Sequence, residues 1–332
     1  MIQKHLLFIP FFLSATLLFA AKEPDWLRNY REVFPDTKYI AQKASAETKE
    51  NSQTEAIAQI ARYFQTNVAA SLKTSVQSIE KAGSVEERTN IENDVELTSD
   101  VSLFAIETTE PFYVKKEKKW HCLAFIEREK AWTQYEPNVE NAKNEFYAIY
   151  QKTEEESEPL LKCSLLSKTW KSGMEFLKTL EFARILDSQK EKKYADDRNF
   201  VSEIPAMIEV EKEKCRVYVE VSGDQDGIIA TSVAEALEES SLVISAQKED
   251  CAYIAKVEIT DNESGSDPIA IFPSVDFSLV GKNGKSAYAI KIKSQKKAIS
   301  YTIENARKKA YPQVAEKIKE TVKKDMREKF GF

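Results

Sequence analysis

The last third of the chain alternates strand-like and helix-like patterns, and this order limits the folds open to it. Residues 215–221 alternate apolar and polar side chains, as a half-buried strand does. A short helical pattern at 228–239 follows, and a longer one at 303–326 closes the chain. Between the helices we predict four further strands, at 242–245, 253–260, 275–280 and 286–292. The order β-α-β-β-β-β-α predicts a small α+β domain with an antiparallel or mixed sheet.

Two local signals refine this prediction. Asn283-Gly284 separates the last two strands, and this dipeptide suits the type I′ turn of a two-residue hairpin. Pro312 lies within the closing helical pattern, where we expect it to kink or restart the helix.

The first third of the chain predicts a second α+β unit. Residues 36–41 are strand-like, and a long helical pattern follows that we expect to stop at Gly83. Its apolar stripe recurs at spacings of three and four residues: Ile57, Ile60, Ala61, Phe64, Val68, Leu72, Val76 and Ile79. Residues 95–106 and 120–128 are strand-like. The basic run 115–119 between them is predicted to be a solvated hairpin loop, with a basic binding loop as the alternative.

The middle of the chain predicts a helical hairpin. Two helical patterns are separated by an acidic run that ends at Pro159, and a helix rarely continues through the residue before a proline. Residues 188–198 are densely charged, and we interpret them as a linker. The predicted architecture is α+β, with two small α+β domains joined by this hairpin. Its segments are a signal peptide at 1–21, a first domain at 22–135, the hairpin and linker at 136–198, and a second domain at 199–332.

The N-terminus has the pattern of a secretory signal peptide. After a short polar start, residues 6–21 are almost wholly apolar, are interrupted by Pro10, and are too few for the roughly 20 residues of a membrane-spanning helix. We predict cleavage after Ala20 or Ala21, with an uncleaved anchor as the alternative. No cysteine follows the run, so no lipid attachment of the bacterial lipoprotein type is expected.

Several segments of the first third follow the order of a known family. They are Pro24-Asp25-Trp26, Phe34-Pro35-Asp36-Thr37-Lys38-Tyr39-Ile40-Ala41, the helical Ala56-Ile57-Ala58-Gln59-Ile60-Ala61-Arg62-Tyr63, and Leu123-Ala124-Phe125-Ile126. Together they resemble the Lpp-twenty lipoprotein family, bacterial envelope proteins related to the N-terminal domain of the flagellar assembly protein FlgT. The resemblance covers about residues 24–130. The chain departs from it at Gln42-Lys43-Ala44-Ser45, where the family has glycines, and lacks its lipid-bearing cysteine.

The last third resembles other envelope proteins more weakly. Its element order, and a strand that ends in a Gly-Lys turn at 275–285, are similar to small α+β domains of envelope assembly factors. These include the TolB N-terminal domain, the CsgG-like secretion proteins and the LpoB-type activators of penicillin-binding proteins. Those families bind partners rather than catalyse, so the resemblance implies no catalytic residue.

The four cysteines leave their redox state open. Cys122, Cys163, Cys215 and Cys251 include no CxxC pair, so neither a zinc site nor a thioredoxin-type site is predicted. An even number of cysteines in an exported chain permits disulfides. Cys215 and Cys251 each open a strand-like run and would form a bridge if those strands were neighbours. The other interpretation is four reduced, half-buried thiols.

No motif singles out a catalytic or cofactor site. His121 adjoins Cys122, but adjacent residues of a strand point to opposite faces, which disfavours a Cys–His nucleophile pair. Asp224 and Asp226 lack EF-hand spacing, so we interpret them as turn or N-cap residues rather than metal ligands. GxSxG, GxGxxG and P-loop patterns are absent from the sequence. We predict no catalytic, cofactor-binding or metal-ligating residues, and no cofactor.

The charge distribution points to one candidate surface. The formal net charge is −6, which disfavours nucleic acid as a partner, yet residues 285–332 hold 14 Lys+Arg against 5 Asp+Glu. The candidate partner-binding residues lie on the closing helix: Lys308, Lys309, Lys317, Lys319, Lys323 and Lys324. This set is either the polar face of an amphipathic helix or a docking face for an acidic partner or an anionic membrane surface.

We therefore predict an exported, non-catalytic protein of the periplasm or cell envelope. It would act as an interaction or assembly module of flagellar or cell-wall machinery, with envelope proteins as partners. Two alternatives remain at this point. One is an exported ligand-binding or metal-binding protein. The other is a glycan hydrolase, which would need two carboxylates about 5–10 Å apart in a pocket.

Overall fold

The computed structural model describes residues 22–80, 105–224, 226–265, 267–294 and 296–330, with side chains of the first range up to 74. The predicted signal peptide, Gly83 and nearly all of the predicted strand at 95–106 lie outside these residues. The chain divides into two units at Tyr63/Phe64 and again at Arg128/Glu129. The first unit holds the described residues 22–63 and 105–128, and the second unit holds the rest.

The first unit contains a small antiparallel sheet. β4 is its central strand, since it pairs with β1 on one side and with both β2 and β3 on the other. The hairpin predicted at 115–119 is confirmed, because this segment joins β3 to β4. The elements in chain order are α1 Asp25–Val33, β1 Tyr39–Ala46, α2 Lys49–Glu80, β2 Ile106–Thr108, β3 Phe112–Val114 and β4 Lys119–Glu127.

Residues that carry the family resemblance form part of this unit's core. Trp26 of α1 is buried with Ala41 and Leu123, and Phe34 packs against this cluster. The rings of Phe34 and Phe125 are 4.5 Å apart between centroids. The motif positions are therefore explained by packing, because aromatic side chains bury large apolar areas.

The apolar stripe of α2 is confirmed in its middle. Ile60, Phe64, Val68 and Leu72 are all buried. Ile57 was included in the predicted stripe but is 40% exposed. The last two members of the stripe belong to the part of the helix whose side chains are not described.

The middle of the chain forms three long helices. The first two are the predicted hairpin, and a third helix follows in place of the predicted linker. They are α3 Arg128–Glu155, α4 Pro159–Leu186 and α6 Ala195–Lys214, with the short α5 Ser188–Glu191 between the last two. The predicted hairpin of α3 and α4 is present, and α4 begins at Pro159 as the sequence indicates. Among the contacts between α3 and α4, the hydroxyls of Thr153 and Thr169 lie 3.1 Å apart.

The predicted linker at 188–198 is wrong. Tyr194 is buried, and Asp197 is 8% exposed. Asp197 accepts hydrogen bonds from the Tyr147 hydroxyl and the Lys143 ammonium, both at 2.7 Å. Lys190, Lys193, Glu191 and Arg198 of this segment also form ion pairs within the bundle, so its charge density did not indicate a solvated linker. The predicted boundary near residue 135 likewise falls inside α3, which continues through Pro137.

Gly173 permits the close approach of α6 to α4. A Cβ atom at this position would lie 2.8 Å from Val201 Cγ1 and 3.2 Å from a ring carbon of Phe146. Distances below about 3 Å do not occur between such atoms without a shift of one partner. The small residue is therefore required by packing within the bundle.

A buried carboxylate in the second unit joins α4, α6 and the part of α2 that follows Tyr63. Glu181 on α4 has no exposed side-chain area. It accepts hydrogen bonds from Arg198 of α6, from Arg184 at 2.8 Å, and from the Ser71 hydroxyl of α2 at 2.5 Å. Arg198 also donates to Glu191 at 2.6 Å. Full pairing of this kind is what makes burial of a charge tolerable.

The second unit also contains a six-stranded mixed sheet with the order β10-β8-β7-β5-β6, in which β9 also pairs with β8. β5 is parallel to β6 and β7, whereas the other pairs are antiparallel. The α+β fold class is confirmed, with two sheets separated in sequence by the helical segment. The elements are β5 Arg216–Ser222, α7 Ile228–Glu238, β6 Val243–Ile244, β7 Tyr253–Ser264, β8 Ile269–Gly281, β9 Ser286–Lys293, β10 Ala298–Ser300 and α8 Ile303–Asp325.

Two details of the predicted order need correction. Five strands follow α7, not four, because the three-residue β10 was missed. Pro312 neither ends nor restarts α8, which is one continuous helix. Pro312 is exposed, so water can reach the carbonyl that its ring leaves without an intrahelical donor. A turn at Asn283-Gly284 joins β8 to β9 as predicted, but it is not type I′, because Gly284 has a positive φ, 77°, and Asn283 does not.

The core of this unit lies between the sheet and the helices α7 and α8. Buried side chains of α7 such as Val233 and of α8 such as Val314 and Ile318 share one cluster with Val275 and Phe277 of β8. Leu160 at the start of α4 belongs to the same cluster. The start of α4 is therefore packed against the six-stranded sheet.

We expect Glu181→Gln to lower the free energy of unfolding by about 2–4 kcal/mol, because it leaves Arg198 facing an uncharged acceptor in a buried site. The change is measured by urea unfolding. Glu175→Gln is the matched control on the same helix, since Glu175 is 73% exposed and 3.6 Å from Lys178. Equal losses for the two variants would contradict the assigned role of Glu181.

Candidate partner-binding surface

The six predicted lysines of α8 do not form one unpaired basic face. The Lys319 ammonium lies 2.9 Å from Glu235 Oε2 and 2.8 Å from Glu239 Oε1. Lys323 lies 2.9 Å from the second oxygen of Glu239. Because Glu235 belongs to α7 and Glu239 caps its end, these two lysines bind α7 to α8.

Glu239 responds electrostatically to both lysines. Its hydrogen bonds from Lys319 and Lys323 lower its pKa to about 2. In return, hydrogen bonds to Glu239 and Glu235 raise the pKa of Lys319. Glu239 and Lys319 are thus both charged at neutral pH, and the exposed pairs contribute modestly to the contact.

The other four lysines have different surroundings. Lys309 donates to the Ile299 carbonyl at 3.1 Å, and Lys324 lies 3.9 Å from Glu328. Lys308 and Lys317 form no ion pair within the described ranges. Lys319 and Lys323 are therefore engaged in internal ion pairs, whereas Lys308 and Lys317 have no ion pair among the described residues that would compete with a partner.

The structure shows a surface that the sequence did not predict. Tyr301, between β10 and α8, is 82% exposed, and Ile299 is 41% exposed. Lys296 and Lys297 precede β10 and are exposed, and Lys309 reaches the strand from α8. We call Ile299, Tyr301 and these three lysines the β10 edge patch. In the sequence, this patch could have been recognised only from Ile299 and Tyr301 beside the basic pair Lys296-Lys297. That signal is weak, because β10 is too short to predict as a strand.

The segment that follows the patch is held rigidly. The Thr302 hydroxyl accepts the Asn305 amide at 3.3 Å and caps α8. Arg307 binds Asp261 at 2.7 Å, and Tyr311 donates to the Gly223 carbonyl at 3.3 Å. Burial, reinforced by the charge of Asp261, raises the pKa of Tyr311 to about 12. The first turns of α8 are thereby tied to two strands of the sheet.

His121 and Cys122 do not face each other as a catalytic pair. The Cys122 thiol donates to the Thr109 carbonyl at 3.4 Å, and burial raises its pKa. His121 Nε2 lies 2.8 Å from Glu117 Oε2, but neither ring nitrogen has a partner in hydrogen-bond geometry. A buried thiol with a raised pKa is a poor nucleophile.

Asp224 caps a helix. Its Oδ1 accepts the amide of Ile228 at 3.2 Å, and its Oδ2 accepts the amides of Ile229 and Ala230 at 2.8 Å each. Both carboxylate oxygens are therefore occupied by the first turn of α7, where a negative charge also suits the helix dipole. Asp226 lies in the exposed turn that follows Asp224. Within the described ranges no group of three potential metal ligands occurs.

A groove of about 380 Å³ lies on the sheet face between β7 and β9. It brings together Glu258 and Asp276, which are directly opposite on β7 and β8. Asp276 is bound by Lys291 at 2.7 Å, and Lys256 also lines the groove. Glu258, Asp276 and the two lysines together form a mixed polar surface on the sheet.

All four cysteines are buried, and none of them is in a disulfide bond in this structure. The Cys251 thiol donates to the Gln247 carbonyl at 3.2 Å, and the Cys215 thiol donates to the Glu211 carbonyl at 3.5 Å.

In the part of the chain that the structure describes, no helix is both long and apolar enough to cross a membrane.

Comparison with known proteins gives distant structural similarity only. No family model matches the chain, and no curated protein matches its sequence, so the family resemblance stays a prediction. A minor lipoprotein of Acinetobacter baumannii is 12% identical over 34% of this chain and 94% of its own, with a TM-score of 0.26. The secreted protein HP1454 of Helicobacter pylori is 14% identical over 87% of this chain and 97% of its own, with a TM-score of 0.36.

We expect Asp224→Ala to destabilise the chain by about 1–2 kcal/mol, because three amides of α7 lose their acceptor. Asp226→Ala is the matched control and should be close to neutral. Urea unfolding measures both, and repeating it with calcium checks the metal alternative. Calcium-dependent stabilisation that Asp226→Ala abolishes would show that the loop binds metal.

The α7–α8 ion pairs should give a pH-dependent contribution to stability. Because the pKa of Glu239 is lowered in the folded chain, its contribution is complete above the unfolded pKa near 4.5 and is lost as pH falls towards 2. Glu239→Gln should remove a small part of the stability difference between pH 5 and pH 3, measured by thermal melts. Glu238→Gln, the exposed neighbour, should not change it. Identical pH profiles for the two variants would contradict the assignment.

Proposed function

We propose that the chain is an exported cell-envelope protein that acts by binding another protein rather than by catalysis. The observation that carries the proposal is the β10 edge patch, an exposed aromatic side chain on a rigid part of the fold. The signal-peptide pattern at 6–21 supports export. Flagellar or cell-wall machinery is the class of assembly that the family resemblance suggests.

The chemistry of the patch favours a protein partner with acidic groups. Tyrosine is enriched among residues that dominate binding energy, because it buries a large area at little cost in conformational freedom. Lys296 and Lys297 precede the strand that contains Ile299, and Lys309 donates to the Ile299 carbonyl, so acidic groups on the partner would complement these lysines. The chain as a whole is negative, at −6, so this basic region is the part of it that suits such a partner.

The environment of the reactive groups supports a non-catalytic role. Asp224 caps α7, the Cys122 thiol is buried with a raised pKa, and Asp276 is bound by Lys291. Each of these side chains has a structural partner that competes with a role in chemistry. The Glu258–Asp276 groove lies on a sheet face and carries two lysines, which distinguishes it from an acid–base pocket.

The test is in-cell crosslinking of the tagged chain, followed by fractionation and mapping of the crosslinked peptides. We expect recovery in the envelope fraction of an acidic protein whose crosslinks fall on residues 296–309. Tyr301→Ala combined with Lys297→Glu should lower the yield about tenfold, as expected for loss of an interface hot spot. The melting temperature should stay unchanged, since both side chains are exposed.

Tyr113→Ala is the matched control, because Tyr113 is a 40% exposed tyrosine on the other sheet. Its crosslinking yield should equal that of the unaltered chain. A yield that is insensitive to the Tyr301 variant, or a free monomer without crosslinks in the envelope, would contradict the proposed interaction. Recovery in the cytoplasm alone would contradict export.

A further inference from the structure

Two buried cysteines from distant parts of the sequence meet at the junction of the helical segment and the second sheet. Cys163 lies in the second turn of α4, and Cys215 ends α6 just before β5. Neither is exposed to solvent, and both belong to the same apolar cluster. Cys163 is the side chain with the largest effect on the acidity of Cys215, so the two thiols are neighbours.

Backbone contacts hold the two cysteines in place. The Leu160 amide, one turn before Cys163, donates to the Tyr253 hydroxyl at 2.9 Å. Tyr253 is directly opposite Val217 in the parallel pair of β7 and β5, and Val217 is two residues after Cys215. The Cys215 amide donates to the Lys212 carbonyl at 2.9 Å. The start of α4 and the start of β5 are thus fixed to the same strand.

The thiol contact also affects acidity. The hydrogen bond with Cys163, together with burial, raises the pKa of Cys215. In the folded chain the Cys215 thiol is therefore protonated, and both thiols are shielded from solvent. Oxidation is expected while the chain folds, since exchange with a disulfide needs a thiolate that the oxidant can reach.

We propose that Cys163 and Cys215 are a disulfide-forming pair that crosslinks the start of α4 to the end of α6. One thiolate attacks the sulfur–sulfur bond of an external disulfide oxidant and forms a mixed disulfide. The second thiolate then displaces the oxidant's other sulfur. The two electrons and the two protons of the cysteines end on the two thiols of the reduced oxidant. Formation of this bond in the cell rests on the proposed export, which supplies an oxidising compartment.

The other cysteines have different neighbours. Cys122 belongs to the first unit and donates to Thr109. Cys251 lies at the same end of the parallel strands as Cys215, but it is not part of the cluster that contains Cys163 and Cys215. A Cys215–Cys251 bond is the competing pairing.

The test is oxidative refolding of the purified full chain in a buffer of reduced and oxidised glutathione. Remaining thiols are alkylated, and the crosslinked peptides are mapped by mass spectrometry. We expect one bond, between Cys163 and Cys215, with Cys122 and Cys251 alkylated. The melting temperature should rise by about 5–10 °C relative to the reduced chain, because the crosslink restricts the unfolded state.

Single alanine variants provide the controls. Cys163→Ala and Cys215→Ala should each abolish both the bond and the rise in melting temperature, whereas Cys122→Ala and Cys251→Ala should keep both. Four alkylated cysteines after refolding, or a Cys215–Cys251 bond, would overturn the proposal. If a core variant fails to fold, the peptide map of the unaltered chain still decides the pairing.

Thiol alkylation in intact cells tests the disulfide proposal and the proposed export separately. The bond should be present in chain recovered from the envelope fraction. A chain that forms the bond in glutathione buffer but is fully reduced in cells supports the assigned pair and contradicts export.

Discussion

The pairing of β8 is the interaction on which the second unit depends. This strand pairs with β7 from Ala270 to Gly281 on one side and with β9 and β10 on the other. Val275, Phe277 and Leu279 alternate along it and are all buried. Because side chains of a strand alternate between faces, a register shift of one residue would expose the whole set. The Asn283-Gly284 turn fixes the β8–β9 end of this register, and α7 and α8 can pack only where that apolar face lies.

Patterns that depend on neighbouring residues were predictable from the sequence. The closing helix α8, the strands β5 and β9, and a turn at Asn283-Gly284 all appear where expected. The limits of strands were less predictable. β10 has three residues and is defined only by its pairing with Ile269, Ala270 and Ile271 of β8, which a local pattern cannot show.

Charged residues were the main source of error, for the candidate surface as well as for the fold. A run of charges has the same sequence pattern whether it is solvated or paired inside the molecule. Lys319 was grouped with the partner-binding lysines, yet it lies between Glu235 and Glu239, 84 and 80 residues earlier. Asp197 was assigned to a linker, yet it binds Lys143 of another helix. Both errors follow from contacts that are remote in sequence.

The paired charges determine what remains available to a partner. Lys319 and Lys323 hold α8 on α7, and Arg307 holds its first turns on β7 through Asp261. The helix is thus fixed at several points along its length, so the strand and turn that precede it are fixed as well. A partner that binds Tyr301 would meet a side chain on a preorganised backbone and would pay little to order it. Rigidity of this kind favours recognition of another folded surface, because neither side then needs to rearrange.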